Sequence, residues 1–201
     1  MFSTYPSPLE TMKTLIALFA LAISAVGQTA PEFTVKNTKG ETVSLADLKG
    51  KVVVLEWTNH DCPFVKKHYQ SGNLPKLQET CTAKGVAWLT VSSAAEGKQG
   101  YMEPAKLAER AAKEGNKASH ILVDTDGKLG KAYGAKVTPH LFIINKDGKI
   151  AYDGAIDSKA TTKTEDIETA DKLFANALDA VLAGKEVSSP KNQPYGCGVK
   201  Y

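Results

Sequence analysis

Lys51-Val52-Val53-Val54-Leu55-Glu56-Trp57-Thr58-Asn59-His60-Asp61-Cys62-Pro63 is the stretch that decides the fold. Lys51–Thr58 is a nearly continuous apolar, β-branched run, the pattern of a strand covered on both faces. Asn59-His60-Asp61 ends it, and Pro63 suits the first position of a helix. The helical signal breaks at Ser71-Gly72-Asn73 and resumes over Leu74–Ala83, with Pro75 in its first turn. Val86–Ser92 is a second buried strand. Strand, helix, strand in this order predicts a parallel pair with a crossover.

Upstream of this unit, Phe33–Lys36 and Thr42–Leu45 flank Thr38-Lys39-Gly40 and predict an extra N-terminal hairpin. Downstream come a helix over Pro104–Glu114, a short strand Ile121–Asp124 and a short helix Lys128–Tyr133. Strands Leu141–Ile144 and Lys149–Tyr152 are joined by Asn145-Lys146-Asp147-Gly148, whose Asp-Gly favours a tight hairpin. Thr162 with Glu165 reads as a capping box. The helix it opens buries Ile167, Ala170, Phe174, Ala177, Leu178 and Val181 and stops at Gly184. The expected class is α/β, a mixed sheet flanked by helices. Residues 31–184 form the domain. The tail, 185–201, has no periodicity and reads as flexible.

With 201 residues, 42% apolar and 23% charged, the chain has the composition of a globular protein. Its net charge of +3 is spread along the sequence, with no basic stripe for nucleic acid. Lys13 followed by the uncharged run Leu15–Ile23 and the small residues Ala25 and Gly27 reads as an export signal over residues 1–27. Met12 is an alternative start. The run also fits an uncleaved anchor, although it is short for a membrane span. Cleavage leaves no stable membrane span and places the protein in a periplasmic or extracellular compartment, where disulfides persist.

The chain has three cysteines, Cys62, Cys81 and Cys197. Cys62 precedes a helix N-terminus, where unpaired N–H groups favour a thiolate. His60 could tune it as a nearby base or cation. Helix lies on both sides of the path from Cys62 to Cys81. A continuous helix would part them by about 28 Å, against a Cα separation of roughly 4.4–6.8 Å in a disulfide. Cys81 therefore reads as a small buried side chain. Cys197, between Gly196 and Gly198, can travel and is the better resolving thiol. Thr138-Pro139 precedes a strand; sequence alone leaves its isomer open, since X–Pro bonds are mostly trans. His60, Cys62, His68 and His140 have no metal-site spacing, and neither a metal nor a cofactor is expected. Arg110, the only arginine, lies on a helix face expected to be solvated.

Strand–Cys62-Pro63–helix followed by Val137-Thr138-Pro139 before a hairpin resembles the thioredoxin fold. The N-terminal hairpin adds a resemblance to the alkyl hydroperoxide reductase/thiol-specific antioxidant (AhpC/TSA) superfamily. The strings Asp61-Cys62-Pro63-Phe64-Val65-Lys66-Lys67-His68-Tyr69, Gly154-Ala155-Ile156-Asp157 and Tyr195-Gly196-Cys197-Gly198 are similar to its exported, peroxiredoxin-like redoxins. The resemblance covers roughly residues 31–201. It implies a cis Pro139 beside the Cys62 sulfur, with the Thr138 backbone orienting a partner disulfide.

Two departures shape the expected activity. No cysteine follows Cys62 by three residues, so a one-site dithiol cycle is absent. Thr58 lies four residues before Cys62 instead of three, and Arg110 is the sole arginine, so the peroxidase pattern is incomplete. Thiol–disulfide exchange is the expected chemistry, with Cys62 as nucleophile and Cys197 resolving. Its partners would be an oxidised or disulfide-containing protein or a small-molecule thiol, and an external electron donor. The alternatives are an antioxidant thiol peroxidase, and a non-catalytic module in which a Cys62–Cys197 bond clamps the tail.

Overall fold

The computed structural model describes Met1 and residues 27–201. The expected export signal falls almost wholly outside the described residues, as does Met12. Among the described residues no helix is long and apolar enough to cross a membrane.

The decisive stretch forms β3 (Val53–Trp57), in the centre of a five-stranded sheet. It pairs in parallel with β4 (Ala87–Ser92), which pairs in parallel with β5 (His120–Val123). On its other side β3 pairs antiparallel with β7 (His140–Ile144), and β7 with β8 (Ile150–Gly154). Every residue of β3, β4 and β7 is buried, which explains the lack of apolar–polar alternation in their sequences. The hairpin β1 (Thr34–Lys36) and β2 (Thr42–Ser44) stands beside this sheet, joined to β5 through an Asn37–Leu122 bridge. The architecture is the mixed α/β sheet flanked by helices, with an N-terminal hairpin, that the sequence predicts.

Side chains alternate across β3 and feed two cores. Val53, Leu55 and Trp57 pack with Phe33, Leu89, Val91, Tyr133 and Phe142. Tyr133 comes from α4 (Lys128–Tyr133). Val54 packs on the opposite face with Cys62, Tyr69, Trp88, Ile143, Tyr152 and Phe174. That face is covered by α1 (Pro63–Gln70) and α2 (Asn73–Ala83). The Gly72 backbone lies in the left-handed region and turns the chain between them. Between β4 and β5, α3 (Pro104–Lys113) buries Leu107 and Ala111.

Two expectations require correction. The Thr162–Glu165 capping box does not form, and one long helix does not follow it. Instead a four-residue helix, α5 (Asp166–Thr169), ends at an extended Ala170, and α6 (Leu173–Leu182) begins anew. The hydroxyl of Thr161, rather than Thr162, bonds Asp166 at 2.5 Å. The Ser158 N–H then donates to the Asp171 carbonyl at 3.2 Å and the Phe174 N–H to the Ile156 carbonyl at 3.3 Å, ties that reset the chain between α5 and α6. Tertiary contacts here override a local pattern.

The tail is not a free appendage either. Its residues Cys197–Gly198 form β9, antiparallel to β6 (Val137–Thr138), with Thr138 opposite Cys197. The Asn192 side chain accepts from the Ala155 N–H at 2.8 Å and donates to the Tyr152 hydroxyl at 2.9 Å. The C-terminal Tyr201 ring lies against Gly127 and Gly130, where a side chain would intrude. Its hydroxyl donates to the Ala135 carbonyl at 2.8 Å.

Candidate active site

Cys62 is the N-cap of α1, with extended backbone angles, and Pro63 takes the first helical position. Its side chain is fully buried. The thiol donates to the Thr138 carbonyl at 3.1 Å. The Thr138–Pro139 peptide bond is cis. It separates β6 from β7, and so brings the backbone of Thr138 to both Cys62 and the tail.

Cys197 reaches the same place from the other end of the chain. The β9–β6 register sets it opposite Thr138, and its thiol adjoins the Cys62 sulfur, near enough for each to shift the other's ionisation. Both are free thiols here. Gly196 makes the approach possible: its φ of +143° and its closeness to the Thr138 carbonyl and the Pro139 nitrogen leave no room for a Cβ.

The two thiols ionise unequally. Burial opposes a thiolate at Cys62. Donors from the Cys197 and Thr138 side chains and from the Val65 and Cys197 backbone outweigh it and pull Cys62 below the ordinary thiol range. Burial and the adjoining Cys62 sulfur push Cys197 up to about 11. The first proton leaving this coupled pair therefore comes from Cys62. Cys81, on α2, is pushed up to about 11 by burial, the ordinary state of an inert core cysteine.

His60 is buried, but its recorded partner is not Cys62. Its Nδ1 lies 2.6 Å from Glu114 Oε2, and its Nε2 is buried without a partner. Arg110, its side chain 34% exposed on the outer side of α3, pairs with Glu114 and lies 3.9 Å from Asp61. His68 accepts from Asn73 at 2.8 Å and faces the Tyr195 hydroxyl at 3.3 Å. His140 lies 2.8 Å from Asp153. Among the described residues no group of three or more His, Cys, Asp or Glu side chains is placed to hold a metal ion.

Two polar clusters behind the cysteines escape a reading of motifs. The Glu56 carboxylate, wholly buried on β3, accepts from Tyr69, Gln78 and Trp88 at 2.8–2.9 Å. Burial raises it to about 7 despite those donors. A lone acid in the run Val52–Trp57 was the available signal. In the second cluster Lys67, with no exposed side-chain surface, lies 3.6 Å from Asp157, and Tyr195 donates to the same carboxylate. Tyr195 thereby ties the tail to α1, two residues before Cys197.

A central mixed sheet, a thiolate-favouring cysteine capping the first crossover helix, and a cis-proline turn against its sulfur define a thioredoxin-fold thiol protein. The chain belongs to the Redoxin family, whose family model matches residues 25–172. It is similar to the thiol-disulfide oxidoreductase ResA of Bacillus thuringiensis subsp. konkukian, 28% identical over 127 residues, or 62% of this chain and 66% of that relative. ResA of Bacillus subtilis is 27% identical over 125 residues, 62% of this chain and 64% of the relative. The matched stretch is thus just under two thirds of either relative's length. Among solved structures, an uncharacterized conserved protein from Geobacillus kaustophilus superposes with a TM-score of 0.73 at 28% identity, covering 88% of this chain and 92% of that one. A hypothetical protein from Sinorhizobium meliloti gives 0.72 at 22% identity, covering 89% and 95%, a likeness of fold.

Proposed function

We propose that this protein is a thiol–disulfide oxidoreductase whose working pair is Cys62 and Cys197. The observation that carries this reading is the placement of the two thiols against each other, across the Thr138–Pro139 turn, from opposite ends of the domain. Cys62 is the nucleophile, because its sulfur holds charge most easily and thiolate is the reacting form. Cys197 is the partner thiol that completes the cycle. It stands where a sequence-adjacent second cysteine would otherwise serve. The Thr138 backbone and cis Pro139 position the sulfurs. His60, two residues before Cys62 and held by Glu114, is its candidate tuning group.

The substrate class is a protein or small molecule carrying a disulfide or a pair of thiols, with an external thiol donor or acceptor to reset the pair. The names of the ResA relatives support this choice. The Lys13–Gly27 signal pattern supports an exported, periplasmic or extracellular site of action. Peroxidase activity is the lesser reading, because Thr58 is out of the peroxidase register and Arg110 is engaged by Glu114 and Asp61.

The test compares insulin disulfide reduction with hydrogen peroxide consumption, each driven by the same dithiol. Insulin reduction should depend on Cys62 and exceed peroxide turnover by about tenfold or more, an estimate based on the need for peroxide-positioning groups that are missing here. Fast peroxide turnover that depends on Cys62, with no insulin reduction, would contradict the assignment.

A further inference from the structure

The two sulfurs of the pair differ in what can reach them. Cys62 has no exposed surface, while Cys197 is partly exposed. Cys62 is enclosed by the apolar cluster of Val65, Tyr69, Leu141 and Ile156, and Phe64, Tyr195 and Cys197 pack on that cluster. The tail holds this cover on both sides of Cys197 without any covalent bond. Before it, Tyr195 donates to Asp157 and Asn192 is bound to Tyr152 and Ala155. After it, the Val199 N–H donates to the Lys136 carbonyl at 3.0 Å, and the Lys200 carbonyl accepts from the Ala95 N–H at 2.8 Å.

We propose that in the oxidised, Cys62–Cys197-bonded protein an outside thiol attacks Cys197, so that the tail carries the mixed disulfide and Cys62 is the leaving sulfur. The proposal rests on the reading of Cys62 and Cys197 as the working pair. It moves the mixed disulfide away from Cys62, where a resolving role for Cys197 would place it.

Exchange at sulfur proceeds nearly in line: the incoming thiolate, the sulfur attacked and the leaving sulfur lie close to one axis. Cys62, with no exposed surface and enclosed by the apolar cluster, offers an incoming thiolate no open path, whereas Cys197 is partly exposed. The disulfide fastens the tail at Cys197, and the noncovalent ties on both sides of it keep the cover from tilting off Cys62 while the bond is intact. The same geometry applies in reverse, when Cys62 thiolate attacks the Cys197 sulfur of a mixed disulfide and closes the bond.

The balance is simple. A substrate thiolate bonds to the Cys197 sulfur, the Cys62–Cys197 bond breaks, and its electron pair leaves on Cys62. A second substrate thiolate then bonds to the first substrate sulfur and releases Cys197 as a thiolate, which takes a proton from water. The substrate dithiol loses two electrons and becomes a disulfide, and the protein's pair gains them. A disulfide-bearing acceptor reoxidises the pair. The donors to the Cys62 sulfur, and the raised pKa of Cys197, make Cys62 the better leaving group.

The test uses the full chain carrying Cys81→Ala, oxidised to the Cys62–Cys197 form. A brief pulse of reduced glutathione is quenched with acid, free thiols are alkylated and peptides are mapped. Glutathione should lie on Cys197 with Cys62 alkylated, in at least about tenfold excess over the reverse, as expected when one sulfur is enclosed. Glutathione mainly on Cys62 would overturn the proposal and leave the pair reading standing. Failure to form the Cys62–Cys197 bond at all would overturn both. Gly196→Ala, which loosens β9 from Thr138, and Tyr201→Ala, which frees the chain end, should raise the Cys62 share severalfold. An unchanged share in both variants would remove tail docking as the cause.

Discussion

Replacing Cys62 with serine is expected to lower disulfide exchange on the order of a thousandfold or more, to the level of buffer, because a hydroxyl supplies no thiolate at neutral pH. The fold should survive, since the oxygen can still donate to the Thr138 carbonyl that now accepts the thiol. Cys81→Ala should by contrast keep exchange within about twofold of the parent protein, because a buried thiol held to high pKa takes no part. Its side chain lies on α2, packed in the apolar cluster. Insulin reduction assayed on both variants separates the roles. Retained exchange in Cys62→Ser, or its loss in Cys81→Ala with the fold intact, would contradict the assignment of Cys62.

The second large effect lies in stability and pH. Burial holds His68 down to about pKa 4, against an ordinary value of about 6.5. Between these values the unfolded chain binds more protons, so stability falls as pH falls from about 6.5 to 4, by about 3 kcal/mol. Burial raises Glu56 to about 7 from an ordinary 4.5. Its contribution is complete below about pH 4.5 and is lost as pH rises through about 7, again by about 3 kcal/mol. From pH 4.5 to 6.5 the two trends oppose each other. Glu56→Gln keeps the shape and still offers an acceptor to Trp88 and Gln78, but removes one trend. Urea unfolding should then show stability rising by about 2–3 kcal/mol between pH 4.5 and 6.5, with a shallower slope in the parent protein. Parallel profiles would contradict the account of Glu56.

The sequence made the sheet legible because β3, β4 and β7 are buried on both faces and consist of apolar runs. Cys62 was legible because Pro63 marks a helix start one residue later. The tail was not. Its docking relies on one β-pair, on Gly196 at a backbone angle closed to other residues, and on Asn192, Tyr195 and Tyr201 meeting residues distant in the chain. None of these leaves a period. The helix at Thr162 failed for the opposite reason: a local pattern was present, but long-range hydrogen bonds at Ser158 and Phe174 broke it. Arg110 and Glu114 stand four residues apart at the end of one helix, a spacing that allows their pairing, but nothing local in the sequence places His60 against Glu114. Glu56 left a trace, an acid inside an apolar run, but nothing in the run points to its partners Tyr69, Gln78 and Trp88.

The most direct test of the working pair is non-reducing peptide mapping of the full chain after mild oxidation. A single linked peptide pair joining Cys62 to Cys197, with Cys81 recovered as a free thiol, is the predicted result. A link between Cys62 and Cys81, or a fully reduced monomer under conditions that oxidise an exposed dithiol, would contradict it.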